Sequence, residues 1–157
     1  MVMNAVESAT QILDTLLGHL HIAATIDVEE TKDGPCLQVH TDDFKTLVGK
    51  NGDRLDDLQY LVNRILRRKI ENAPRIRIDC AHYRTMQEDE LQREITSVAE
   101  RVKATGNPYE LRPLNAYYRR LVHNILAEDP EIHSTSPSGD DRLKRITISS
   151  KKPSAAS

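Results

Sequence analysis

The stretch Leu47-Val48-Gly49-Lys50-Asn51-Gly52-Asp53-Arg54-Leu55 decides how this chain is read. Two glycines flank two polar residues, with an apolar pair before them and an amphipathic run after them. Glycine lets the backbone take positive φ and lets a ligand approach closely. The helix expected from Asp53 onward presents unbonded N–H groups and the positive end of its dipole. Lys50 adds a cation, and Asn51 adds donors. The result is a corner chemically suited to a phosphate. A G-x-x-G spacing is a weak signal by itself, because most are merely turns, so the surroundings carry the argument.

Downstream, the periodicity predicts a helix over about 53–70 with Leu55, Leu58, Leu61, Val62, Ile65, Leu66 and Ile70 on its buried side. Asp53, Asp56 and Asp57 near its start and Arg67, Arg68 and Lys69 near its end suit the helix dipole. Pro74 stops it. Ile76 and Ile78 then alternate with Arg75 and Arg77, a strand with a basic outer face. Upstream, Val6, Leu13, Leu16, Leu17 and Leu20 predict an amphipathic helix over 6–20. Residues 22–40 alternate as two strands around Asp33-Gly34-Pro35, a β-hairpin, and 42–48 hold a short helix. The order over the first 80 residues is α-β-β-α-α-β, a small α+β domain with three strands.

The second half opens with a helix over 82–104, with Met86, Leu91, Ile95, Val98 and Val102 toward the core. Gly106-Asn107-Pro108 ends it. A short strand at 109–111 and a turn at Arg112-Pro113-Leu114-Asn115 precede a helix over 116–127, with Asn115 as its N-cap. Residues 131–136 and 142–148 are expected to pair as strands. The division of domains is placed at 6–80 and 81–150, with 151–157 a disordered tail.

Length and composition narrow the classes. At about 100–200 residues per domain, 157 residues allow one ordinary domain or two small ones. No apolar run approaches the roughly 18 residues of a spanning helix, so no membrane insertion is expected. The N-terminus lacks a basic start followed by an apolar stretch, and a secretory signal is not expected. Cys36 and Cys80 make neither a disulfide framework nor a zinc pattern; two buried free thiols in a reducing cytoplasm fit. The net charge of −2 hides an asymmetry. Residues 1–43 carry eight acids against one base, and residues 44–78 carry nine bases against four acids. A basic segment inside a weakly acidic chain points to a local anion-binding surface or to an ordinary solvated face.

With these residues in place, 10–80 resembles a K-homology (KH) domain of type II order, and Leu47 to Asn63 resembles the KH domain of the Jag (KhpB-type) RNA-binding family. The resemblance implies that Gly49, Lys50, Asn51 and Gly52 form the nucleic-acid loop, clamping about four nucleotides. It implies that Val48 and Leu55 form an apolar floor where bases pack, with Arg54 beside them. Asp53 departs from the usual neutral or basic residue; a carboxylate there either weakens binding or caps the helix. In the second half, Arg119 and His123 stand four apart on one helix face. Arg offers a planar, permanently charged fork, and His donates to a phosphate or stacks on a base. Arg-x-x-x-His is a frequent accident on its own. Residues 81–150, and Arg112 to His123 above all, resemble the R-3-H domain of the same family, with Tyr118 where an acid is common. Lys144 and Arg145, on the expected last strand, are further phosphate contacts by that resemblance. Arg120 is about 100° around the helix and carries less weight. Only about five residues precede the first expected helix, so the additional N-terminal domain of many Jag proteins is expected to be absent.

The expectation is a cytoplasmic, bacterial-type protein of two α+β modules that binds single-stranded RNA or single-stranded DNA. Two tethered modules gain from effective concentration if one strand touches both. The family resemblance implies post-transcriptional regulation or an RNA-chaperone role, and a heterodimer with a small stand-alone KH protein (KhpA-type). Aromatics are 4%, which argues against a broad stacking platform. No cofactor, metal site or catalytic group is expected. The six histidines show no H-x-x-x-H, and no P-loop or carboxylate pair is present. The competing reading is a protein-interaction adaptor that uses the KH fold as a docking surface.

Overall fold

A computed structural model describes residues 2–152. The chain divides into two compact units between Arg84 and Thr85. The expected division lay four residues earlier. Arg84 stays with the first unit because it bonds back into it: its backbone N–H donates to Asp79 Oδ1 at 3.1 Å, its Nε to the Ile78 carbonyl at 2.8 Å, and its Nη1 to Asp56 Oδ1 at 2.7 Å.

The first unit runs α1 (Val2–His19), β1 (Thr25–Thr31), β2 (Gly34–His40), α2 (Phe44–Val48), a 3-10 turn (Lys50–Gly52), α3 (Asp53–Lys69) and β3 (Arg77–Cys80). This is the α-β-β-α-α-β order expected from the pattern. β1 and β2 form the antiparallel hairpin, registered from Thr25 opposite His40 to Thr31 opposite Gly34. β3 joins the far edge of β2 in parallel, with Leu37 opposite Ile78. Leu13 of α1, Leu37 and Val39 of β2, Leu55, Val62 and Leu66 of α3, and Ile76 and Ile78 make one apolar core.

The third strand differs from expectation. It starts at Arg77, and Ile78, Asp79 and Cys80 are all buried, so it has no basic outer face. α3 supplies the reason. Asn63, itself buried, donates Nδ2 to the Ile76 carbonyl at 2.7 Å and accepts the Ile76 N–H on Oδ1 at 2.8 Å. Gln59 Oε1 accepts the Ile78 N–H at 2.9 Å. Two helix side chains thus take the place of a neighbouring strand and satisfy backbone groups that burial would otherwise leave costly.

The second unit comprises the rest of α4 (Tyr83–Thr105), then β4 (Tyr109–Glu110), α5 (Ala116–Ala127), β5 (Ile132–Thr135) and β6 (Thr147–Ser150). β6 lies between β4 and β5, antiparallel to both. Leu91, Ile95, Val98 and Val102 of α4 pack with Leu111, Leu114, Val122, Leu126, Ile146 and Ile148. Asn115 caps α5, accepting the Tyr118 N–H at 3.0 Å.

Several expected core residues are instead open to solvent: Leu20 (58% exposed), Leu61 (47%) and Met86 (58%). Each sits beside the buried stripe of its segment rather than on it. The last strand begins at Thr147 rather than 142. Lys144 and Arg145 precede it, and Lys144 makes an isolated bridge with Leu114. Of the expected tail, Lys151 is bonded through its N–H to the Glu131 carbonyl at 2.9 Å, and Lys152 pairs with Glu131 at 2.7 Å. Residues 153–157 lie outside the described residues.

Candidate nucleic-acid interface

The first candidate site is the bend between α2 and α3. Gly49 takes φ 72°, ψ −171°, a conformation essentially confined to glycine, and its N–H closes α2 on the Lys45 carbonyl at 3.0 Å. Asn51 (φ 55°) and Gly52 (φ 79°) are also left-handed. Three of the four loop residues therefore sit where a side chain with a Cβ is strained or rare, and asparagine is among the residues that tolerate it.

Both glycines are also closely covered. A Cβ on Gly49 would lie 2.7 Å from Arg54 Cγ, and one on Gly52 would lie 3.0 Å from Tyr83 Cε1. Arg54 folds back over the loop, and its Nη1 donates to the Thr46 carbonyl at 2.9 Å. Tyr83 meets Phe44 edge to face at 6.0 Å between ring centres. The loop is thus braced by Arg54 on one side and by an aromatic pair on the other. Phe44 and Tyr83 had no place in the sequence reading. That Phe44 is the chain's single phenylalanine, two positions after Asp42 and directly ahead of the loop, was the available signal.

Lys50 and Asn51 are exposed at the loop's outer face. Val48 (3% exposed) and Leu55 (0%) belong to the core. They hold the loop from beneath, and as placed they offer no surface to a base. This corrects the expectation of an apolar floor at those two residues. The cause is that α2 and α3 turn both side chains into the same interior as Leu47 and Leu58.

The second candidate site is on α5. Arg119 and His123 are both half-buried and both engaged within the unit. Arg119 Nη1 donates to the Leu114 carbonyl at 2.6 Å and the Arg142 carbonyl at 3.3 Å, joining α5 to the segments on either side of the Leu114–Lys144 bridge. His123 Nδ1 shares a 2.7 Å hydrogen bond with Ser134 Oγ on β5. Burial, and then the positive charge of Arg119, push the His123 pKa below its ordinary value and favour the neutral imidazole.

Lys144 Nζ donates to the Gly139 carbonyl, across the loop that precedes it. Arg145 is exposed, with Nε 3.7 Å from Glu110 Oε1 and Nη1 donating to the Leu111 carbonyl at 3.4 Å. The exposed residues of α5 are instead Tyr117, Arg120 and Asn124, about one turn apart on its outer side. Tyr117 is 50% exposed, and its hydroxyl donates to Glu88 Oε1 at 2.6 Å.

Both thiols are buried and free, and burial followed by the nearby Asp79 carboxylate raises each to about 11. They are poor nucleophiles in this state. Among the described residues, no group of three or more His, Cys, Asp or Glu side chains is placed to hold a metal ion. No helix among them is long and apolar enough to cross a membrane.

Residues 89–150 match the R-3-H domain family, which places the second unit in a class of nucleic-acid-binding modules. Over nearly its whole length the chain is also similar to proteins named RNA-binding protein KhpB. It is 30% identical over 148 residues to that of Clostridium symbiosum, covering 93% of this chain and 66% of the relative. It is 26% identical over 148 residues to that of Lactiplantibacillus plantarum, covering 94% and 46%. It is 22% identical over 152 residues to that of Bacillus subtilis, covering 96% and 73%. The chain belongs to the KhpB (Jag) family of proteins with an R-3-H domain, and it spans between about half and three quarters of the length of these three relatives.

Proposed function

We propose that this chain binds single-stranded RNA, with the loop from Gly49 to Gly52 as its principal phosphate contact. The observation that carries the reading is the loop itself. Two glycine positions and a left-handed asparagine hold the backbone in one shape, while Lys50 and Asn51 stand exposed at its tip. Fixed loop geometry with a flexible cation outside it orients a phosphate without ordering much chain on binding. Arg54 acts as a brace, because its guanidinium already bonds to Thr46.

In the second unit, Arg119 turns Nη1 inward. Its Nε and Nη2 make no hydrogen bond among the described residues and are the edge that meets a phosphate, with Arg120, Lys144 and Arg145 adding charge around it. His123 positions α5 against β5. DNA is the competing ligand for both units. The reading includes a cytoplasmic, non-enzymatic regulator or RNA chaperone that pairs with a small stand-alone KH-type protein. These are supported by the family alone, and co-purification tests the pairing.

The test is fluorescence anisotropy with labelled single-stranded RNA and DNA. Replacing Lys50 and Asn51 by Asp reverses charge at the exposed tip. Affinity for RNA is expected to fall at least about tenfold, equivalent to about 1.4 kcal/mol, with an unchanged melting temperature. Equal affinity in the folded variant removes the loop mechanism. No binding by the wild type at low salt favours the adaptor reading.

A further inference from the structure

The loop uses little of the positive charge that residues 44–78 carry. Most of the remainder lies on the exposed side of α3. Arg64, Arg67, Arg68 and Lys69 are all exposed, and none makes an ion pair or side-chain hydrogen bond among the described residues. Elsewhere cations are matched: Arg77 with Asp33, Arg84 with Asp56, Lys103 with Asp129 and Glu100, Arg112 with Glu94, Arg145 with Glu110.

The helix dipole accounts for only part of the cluster. Arg67, Arg68 and Lys69 occupy the last turn, where cations are favoured, but Arg64 lies a turn earlier. Arg64 also stands three and four residues from Arg67 and Arg68, spacings at which like charges repel. Tyr60, four residues before Arg64, is 62% exposed. An open aromatic ring beside unmatched arginines has the composition of a single-strand track, where guanidinium groups take phosphates and a ring takes a base.

We propose that the exposed side of α3, from Tyr60 to Lys69, is a second RNA-backbone site, taking a strand that runs on from the Gly49–Gly52 loop. It rests on the RNA-binding reading and extends it. At 1.5 Å per residue, Arg64 and Arg68 lie roughly 17 and 23 Å along the axis from Asp53, beyond the middle of a strand of about four nucleotides held at the loop. The site therefore engages long strands and not short ones.

The experiment titrates a 30-nucleotide RNA by anisotropy over a salt series, and a four-nucleotide RNA by NMR. It compares wild type, R64Q/R67Q/R68Q, the charge-keeping R64K/R67K/R68K, and the Lys50/Asn51 double Asp variant. For the triple Gln variant, affinity for the long strand should fall at least about tenfold. Its log–log salt slope should become shallower by about 2, three contacts at about 0.7 each. The four-nucleotide RNA should bind it as it binds wild type, and the triple Lys variant should keep the wild-type slope. An unchanged long-strand slope overturns the site. So does an equal loss for both RNA lengths, or a triple Gln variant that alters only self-association in the ultracentrifuge, which would make a second copy's acidic segment the occupant. The function and the site fail separately. Wild type that binds neither RNA removes both, whereas loss in the loop variant alone removes the α3 site and leaves the function standing.

Discussion

In the loop after α2 the residues that recur in the motif, Gly49 and Gly52, fix the backbone, and the two between them stand exposed. In α5 the residues that recur, Arg119 and His123, are half-buried and bonded to Leu114, Arg142 and Ser134, and the exposed residues are the ones that do not define the motif. In both units the motif residues build the local shape, and their neighbours face outward. The chemistry differs, however. A glycine contributes by having no side chain, so the loop has nothing of the motif left to offer a ligand beyond its amides. Arg119 contributes a fork with several donors, so one nitrogen can hold the fold while others face outward.

The largest effect expected from this comparison is at Gly49. Substitution by Ala places a Cβ 2.7 Å from Arg54 Cγ, near the root of that side chain, and forces φ 72°, ψ −171° on a residue that avoids it. A loss of about 3 kcal/mol in urea unfolding is expected, at the upper end for such backbone strain. Asn51→Gly, which relieves rather than adds strain, should be nearly neutral. If Gly49→Ala is as mild as Lys50→Ala, the loop backbone is not the fixed element of the site.

Arg119→Ala should come next, at about 2 kcal/mol, because two carbonyls lose a charged donor. Amide exchange at Leu114 and Val122 reads this locally. Arg120→Ala, exposed on the other side of the same helix, should stay within about 0.5 kcal/mol. An Arg119→Ala protein of unchanged stability that no longer binds RNA would break the comparison, since Arg119 would then serve the ligand alone.

The sequence made the element order legible because helix and strand periods differ, and both units keep those periods. The Asn115 cap and the loop glycines were legible for a local reason: their geometry involves residues within a few positions. The roles of Asn63, Arg84 and Arg119 were not. Each bonds to a group reached only after folding, Asn63 to Ile76 and Arg119 to Arg142, and periodicity reports which face a residue takes, not which distant carbonyl it meets. Val48 and Leu55 went wrong for a related reason. An apolar residue beside a loop reads alike whether it lines a groove or fills the core, and only the packing of α2 on α3 decides it.

His123 gives the smallest effect and the sharpest test. Its folded pKa lies below the ordinary value of about 6.5, so as pH falls through that value the unfolded chain takes up the proton first. The stability from the neutral imidazole is present above about 6.5 and is lost as pH falls through the lower folded value. His123→Gln should therefore flatten the decline in stability between about pH 7 and pH 5. An NMR titration should place His123 below the exposed His133, and a midpoint at or above about 6.5 would contradict the buried, Arg119-facing imidazole. Repeating the titration with RNA bound separates positioning from contact. A phosphate brought against the ring would favour the imidazolium and raise the midpoint, whereas a ring that only ties α5 to Ser134 keeps the value it has in the free protein.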